Sequence, residues 1–337
     1  MKIAFFGTPE YVIPIFEYLL KNDATLNVVC AVTRSDKPSG RHLQPIPSAI
    51  KEVAIEKKIP VLAPEKLSAE GGSTSGGKDK NFLSQLSTLN PQLAVVAAYG
   101  KILPKEVLDM FPLGCVNLHF SILPKYRGAA PIQWAIIKGE KETGVTSFFI
   151  DEGLDTGKII FQEKIEIAQN DDTETLRKKL MPIAIEVLKE TLKRVKKGFK
   201  GEAQTGEVSY APPLKKSDGK IDWNKPAEEI HNLIRGTKPW PSAHTAIENE
   251  KLKIKNLKIL EAEIFQSFNL SIFQSFPVGS IVSIEKNVGF VVKCGKNFLL
   301  IKSVQPASKN VMSAWSYLLG HKLAVGDKLS LSNHLRM

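Results

Sequence analysis

Over its first ~190 residues the chain alternates strand signals with helix signals, and this pattern constrains the fold more than any other feature. Residues 3–6 form a short apolar run, and 9–21 read as a helix with proline at its start. Residues 27–33 are a second strand, and 48–57 and 81–89 are helical. Residues 93–98 (LAVVAA) are almost continuously apolar, as expected of a strand covered on both faces. Further strands are read at 116–119 and 145–150, and a long charged helix at 173–197. Parallel strands need crossover connections, and helices supply them, so the expectation is an α/β domain with a mostly parallel sheet.

From about residue 198 the texture changes. Residues 198–209 are polar and punctuated by glycine, which reads as a linker. Short strand-like runs follow at 252–260, 279–284, 289–294, 298–303 and 328–331, the spacing of a small β-barrel. A length of 337 residues suits two domains. The expected organisation is an α/β domain over 1–190, a linker over 191–209 and a smaller barrel domain over 210–337. Residues 71–80 (GGSTSGGKDK) read as a flexible surface insertion, and the tandem IFQSF of 264–276 as a duplicated strand or hairpin segment. No apolar run approaches the ~18 residues of a membrane span, and the opening apolar run is too short for a signal peptide, so a cytoplasmic protein is expected. Cys30, Cys115 and Cys294 are far apart with no CxxC pair, which reads as buried inert thiols rather than a zinc site or a disulfide framework.

The net charge of +11 is concentrated. Residues 251–337 carry 12 Lys+Arg against 4 Asp+Glu. Such an excess suits an anionic partner, above all nucleic acid, although charge alone weighs that and mere solubility about equally. The cluster Lys189, Lys193, Arg194, Lys196, Lys197 and Lys200 reads first as a solvated helix end.

The densest polar constellation is Val116-Asn117-Leu118-His119, continued by FSILPKYRGAAPIQW to Trp134. Side chains alternate along a strand, so Asn117 and His119 share a face. An amide and an imidazole together at a strand end can stabilise a developing oxyanion and exchange a proton. An isolated N-x-H is more often a strand-end pair bonded to local backbone. The long loop of small and rigid residues after it shifts the balance, because such loops let backbone approach a ligand. The acidic turn DEGLDTG, 151–157, could add one carboxylate to the pair. No GxGxxG, Walker A, GxSxG or HExxH pattern is present, which leaves dinucleotide, ATP, serine-hydrolase and zinc-protease chemistry unsupported.

With these residues assembled, the chain resembles the 10-formyltetrahydrofolate-dependent formyltransferase family. The resemblance rests on FFGTPE (5–10), VVAAYGKILP (95–104), GCVNLHFSILPKYRGAAPIQW (114–134) and ETGVTSFFIDEGLDTG (142–157). YAPPLKKSDGKIDW (210–223) and KPWP (238–241) favour the branch whose acceptor is methionyl-tRNA. The resemblance implies a Rossmann-like formyltransferase domain followed by an OB-like β-barrel that contacts tRNA. It implies transfer of the formyl group of 10-formyltetrahydrofolate to the α-amino group of methionine on initiator tRNA, by a metal-free monomer. Asn117, His119 and Asp155 would be the catalytic set, with Asp155 holding His119 and relaying protons through water. Ser121, Ile122, Leu123 and Pro124 would line the folate site. Arg41, in a loop with His42, Leu43 and Gln44 where the family commonly has lysines, would place the tRNA acceptor end. Lys251, Lys253 and Lys255 share a strand face and would attract phosphates, although a protective sheet edge would look the same. The rivals are a formyltransferase acting on an amino sugar nucleotide, and a non-catalytic nucleic-acid-binding protein on the same fold.

Overall fold

The structure is a computed structural model that describes residues 1–21, 25–39, 44–67, 78–248, 253–266 and 270–330. In chain order its elements begin with β1 (Lys2–Gly7), α1 (Ile13–Lys21), β2 (Asn27–Val32), β3 (Lys37–Ser39), β4 (Gln44–Ile46), α2 (Ala49–Glu56), β5 (Val61–Leu62) and α3 (Lys78–Leu89). Next come β6 (Leu93–Ala97), α4 (Lys105–Leu108), β7 (Cys115–His119), α5 (Pro131–Ile137), β8 (Glu142–Phe149), β9 (Ile159–Glu166) and α6 (Thr173–Lys196). The remainder are α7 (Ala227–Gly236), β10 (Ala243–Glu248), β11 (Lys253–Ile264), β12 (Ile281–Glu285), β13 (Gly289–Lys293), β14 (Phe298–Pro306), β15 (Met312–Ser313), α8 (Ala314–His321) and β16 (Lys328–Ser330). Two compact units form. The first comprises Met1–Pro131, Glu142–Glu166 and Arg177–Pro212, and the second Ile132–Lys141, Ile167–Leu176 and Pro213–Met337.

The first unit holds a seven-stranded sheet in the order β5-β2-β1-β6-β7-β8-β9. Strands β5 through β7 in that order are parallel, while β8 and β9 run antiparallel to their neighbours. This is the Rossmann-like sheet expected from the alternation. Ile3, Ala4, Phe5 and Phe6 on β1 are all fully buried, as are Leu93, Ala94 and Val95 on β6, because helices cover both faces. The chain runs from β1 to β2 and β5 on one side and then crosses to β6 on the other, so the strand order reverses between β1 and β6, the place where open α/β sheets bind ligands. Thr8 Oγ1 donates to the Tyr99 carbonyl at 3.2 Å and ties those two strand ends together. Helix α2 starts where Ser48 Oγ accepts the Lys51 N–H. The helix expected at 9–21 begins with a 3-10 turn, Glu10–Val12, before α1. Strand β9 is the strand that follows the acidic turn, for which the sequence reading sets no bounds. It is an edge strand bearing Glu163, Lys164 and Glu166, so its apolar signal is weak.

The second unit is an antiparallel sheet, β12-β13-β14-β11-β10-β16, with β15 pairing β14. Its two ends meet. Ser280 bridges Lys328, the Ile281 N–H reaches the Asp327 carbonyl at 2.8 Å, and the Leu329 N–H reaches the Gly279 carbonyl at 2.8 Å. The sheet therefore curls into an OB-like barrel without a free edge at that seam. Trp223, Ile230, Ile259, Phe290, Leu299 and Tyr317 are among the buried residues that fill it. Strand β11 is bonded on both sides over Leu257–Ile259, to β10 and β14, whereas at Lys253 and Ile254 it pairs with β10. The IFQSF repeat is not a duplicated strand. Ile264 of the first copy ends β11, and the second copy opens with Ile272 and Phe273 in a 3-10 turn, Leu270–Phe273. Phe265, Phe273 and Phe276 pack on Val282, Val291 and Phe298, so both copies supply the same small apolar cluster. Cys30, Cys115 and Cys294 are buried, and burial pushes each thiol up to about 12, which keeps them protonated and inert.

Candidate active site

Strand β7 carries Asn117 and His119 on one face, and the loop after it folds back over the imidazole. His119 Nε2 lies 2.8 Å from the Tyr126 carbonyl. A carbonyl only accepts, so Nε2 carries the ring proton there. The other nitrogen, Nδ1, lies 3.6 Å from Asp155 Oδ2, too long for a hydrogen bond but within ion-pair reach. Both side chains are largely buried, at 6% and 15% exposed, which strengthens their mutual field relative to water. Phe148 packs edge-on against the imidazole at 6.4 Å. Asn117 is half-buried, and its carboxamide has no hydrogen-bond partner among the described residues.

Of the three acidic residues in the turn between β8 and β9, Asp155 is the one brought to His119. Asp151 is spent on the turn itself, where its Oδ1 accepts from the Gly153 N–H at 3.1 Å and from Thr156 Oγ1 at 2.6 Å. Glu152 is exposed. Asp155 sits at φ +52°, and its Oδ2 also accepts the Gly128 N–H at 2.7 Å. Gly128 is at φ +125°, and a Cβ there would lie 2.6 Å from the Ala211 carbonyl oxygen. Only glycine can present that N–H so close to a neighbouring backbone.

The 121–124 segment is held from behind by β8 and β9. Thr146 Oγ1 donates to the Ser121 carbonyl at 2.6 Å and accepts from the Leu123 N–H and from Gln162 Nε2. Gln162 Nε2 also donates to the Leu123 carbonyl at 2.9 Å, and Ser121 Oγ donates to the Lys125 carbonyl at 2.6 Å. Ser121, Leu123 and Pro124 are buried, whereas Ile122 is half-buried. Thr146, Gln162, Gly128, Arg127 and Gln204 all shape this site, and sequence reasoning singled out none of them. Glycine in RGAAP was the one available signal, since it marks close backbone approach.

Arg41 and Lys251 lie outside the described residues. Lys253 and Lys255 are on β11, and their side chains also lie outside that set. The basic end of α6 is occupied locally. Lys189 pairs with Glu186, Lys193 and Arg194 pair with Glu190, and Lys196 Nζ donates to Thr25 Oγ1. Among the described residues no cluster of three or more His, Cys, Asp or Glu could hold a metal ion, and no helix is long and apolar enough to cross a membrane.

The family model described as formyl transferase matches residues 1–192, and the model of the formyl transferase C-terminal domain matches residues 213–322. The methionyl-tRNA formyltransferase of Thermodesulfovibrio yellowstonii is 43% identical over 325 residues, covering 96% of this chain and 97% of that protein. The methionyl-tRNA formyltransferase of Caldanaerobacter subterraneus is 42% identical over 331 residues, 98% of this chain and 100% of that one. Among solved structures, the N-formyltransferase of Helicobacter canadensis, in complex with folinic acid and dTDP-3-aminofucose, matches with a TM-score of 0.61 at 20% identity. That match covers 89% of this chain and 98% of that one. HypX of Aquifex aeolicus, in complex with tetrahydrofolic acid, matches with a TM-score of 0.60 at 14% identity. It covers 96% of this chain, which spans about half of HypX, 48%. At these identities the structural matches speak to fold alone.

Proposed function

This chain belongs to the formyl transferase family, and on that premise we propose that it moves the formyl group of 10-formyltetrahydrofolate onto the α-amino group of methionine on initiator tRNA. It does so as a cytoplasmic monomer. The observation that carries the reading is the set Asn117, His119 and Asp155: an amide with no hydrogen-bond partner among the described residues, beside an imidazole whose Nδ1 faces a carboxylate. The neutral amine attacks the formyl carbon, a C–N bond forms to methionine, and the bond from that carbon to N10 of the folate breaks. The amine loses one proton and N10 gains one. Asn117 donates to the oxyanion that develops on the formyl oxygen. His119 holds its Nε2 proton against Tyr126, so exchange runs through Nδ1, the nitrogen that faces Asp155. Ile122 offers its half-exposed side chain to the folate, while Ser121, Leu123 and Pro124 shape the wall behind it. Arg41 places the acceptor end of the tRNA, and Lys251, Lys253 and Lys255 attract its phosphates.

Support for methionyl-tRNA over a sugar nucleotide comes from relatives of that name aligned along almost the whole chain, together with the basic C-terminal region. The test is a formylation assay with 10-formyltetrahydrofolate and three acceptors: charged initiator tRNA, charged elongator methionine tRNA and an amino sugar nucleotide. Turnover on initiator methionyl-tRNA well above the other two is expected. Turnover on the sugar nucleotide alone overturns the reading.

A further inference from the structure

Residues 198–209 read in sequence as a plain connection, yet 202–211 are fastened to the two loops that build the site. Glu202 exchanges both backbone hydrogen bonds with Ile159, at 2.8 Å each. The Ser209 carbonyl accepts the Arg127 N–H at 2.9 Å, Ser209 Oγ accepts the Tyr126 N–H at 2.9 Å, and the Ala211 N–H donates to the Arg127 carbonyl at 2.7 Å. Between these anchors Gln204 uses every hydrogen-bonding capacity of its side chain. Its Nε2 donates to the carbonyls of Asp155, at 2.8 Å, and Gly157, at 2.9 Å. Its Oε1 accepts from Arg127 Nε at 3.2 Å and Nη2 at 2.7 Å.

We infer that Gln204, oriented by Arg127, is a positioning residue that sets the Asp155 carboxylate against His119; the inference rests on the catalytic reading of that pair. Asp155 occupies left-handed backbone, which a non-glycine residue holds only where its surroundings over-determine it. Two donations from one amide, to the carbonyls of Asp155 and Gly157, fix the backbone on either side of Thr156. Arg127 is followed directly by Gly128, whose N–H grips the same carboxylate. One side chain thus couples the loop that covers His119 to the turn that carries Asp155. Gln204→Glu would keep an acceptor for Arg127 but would have no N–H for either carbonyl, so the amide is the group required. Gln204 touches no reacting atom in this scheme and acts through Asp155.

Gln204→Ala and Gln204→Glu test this, each alone and in the Asp155→Asn background, with two readouts. The first is amide hydrogen exchange in the full-length protein. Gly128 should exchange about tenfold faster or more in both variants, while core amides such as Val95 on β6 keep the wild-type rate. The second is formylation of methionyl-tRNA. Turnover should fall about 10- to 100-fold with both Michaelis constants within about twofold of wild type, because misplacement by about 1 Å is enough for such a loss. In the Asp155→Asn background Gln204→Glu should cost nothing further. Wild-type exchange at Gly128, or a turnover loss fully additive with Asp155→Asn, overturns the inference. If the unaltered protein formylates no methionyl-tRNA, the functional proposal fails instead, and the exchange pattern alone decides the role of Gln204.

Discussion

Asn117 and His119 differ in what the protein already asks of them. His119 is committed at Nε2 to the Tyr126 carbonyl, so replacing it orphans a buried acceptor as well as removing a proton carrier. The carboxamide of Asn117 has no hydrogen-bond partner among the described residues, so the fold gains little from it. Asn117→Ala should therefore lower turnover by about 10²–10³-fold with a melting temperature close to that of wild type. A rate loss matched by a large drop in melting temperature would show that the amide is structural. This pair was legible because the period of a strand is two, and a polar i, i+2 pair on an otherwise apolar strand stands out. Asp155 was legible from its turn only as one of three acids, and the resemblance alone singled it out. Gln204 was not legible at all. It lies in a stretch without periodicity, and its partners are the loops at 127 and 155–157, distant in sequence.

At the scale of elements, β8 does more than extend the sheet. Thr146 stands in register with His119 on β7 and with Gln162 on β9, and its hydroxyl engages the Ser121 carbonyl, the Leu123 N–H and Gln162. Thr146→Val keeps the shape and removes the hydroxyl. It should cost about 1–3 kcal/mol for each buried group left unpaired, and it should release the 121–124 segment from β8. Denaturant unfolding would measure the destabilisation. An unchanged midpoint would mean that the segment is held elsewhere. The long, uniformly apolar strands of the first sheet were readable because burial on both faces leaves a continuous signal. Strand β10 escaped because buried His244 and Thr245 interrupt its apolar pattern. Helices α5 and α8 escaped because they are short, and α5 follows directly on the glycine- and alanine-rich loop.

For the whole molecule, pH and salt act through different parts of the chain. His231 on α7 is buried in the second unit. Burial, reinforced by the Arg235 cation, pushes its pKa down to about 4. An unfolded chain binds that proton near pH 6.5. Above 6.5 both states are neutral and the residue carries no penalty. Between 6.5 and about 4 the unfolded chain takes up a proton that the folded one refuses, so stability falls as pH falls and then levels. The loss should amount to a few kcal/mol, and His231→Gln should abolish most of that slope in an unfolding series across the window. Salt acts through the 12 Lys+Arg against 4 Asp+Glu of residues 251–337. If these lysines attract phosphates without reading sequence, binding releases counterions and the affinity for tRNA falls steeply with salt. Replacing Lys251, Lys253 and Lys255 with alanine should raise the Michaelis constant for tRNA. It should also flatten its logarithmic salt dependence by about one unit for each phosphate that is no longer neutralised. Turnover at saturating tRNA should hold, since these residues supply attraction rather than placement. Arg41→Ala should behave in the opposite way, with turnover reduced and the salt slope nearly kept, because a placing contact acts on the reacting geometry. Measuring both constants over a salt series for the two variants separates the roles. Equal slopes for wild type and the triple-lysine variant would refute the electrostatic account of the barrel domain.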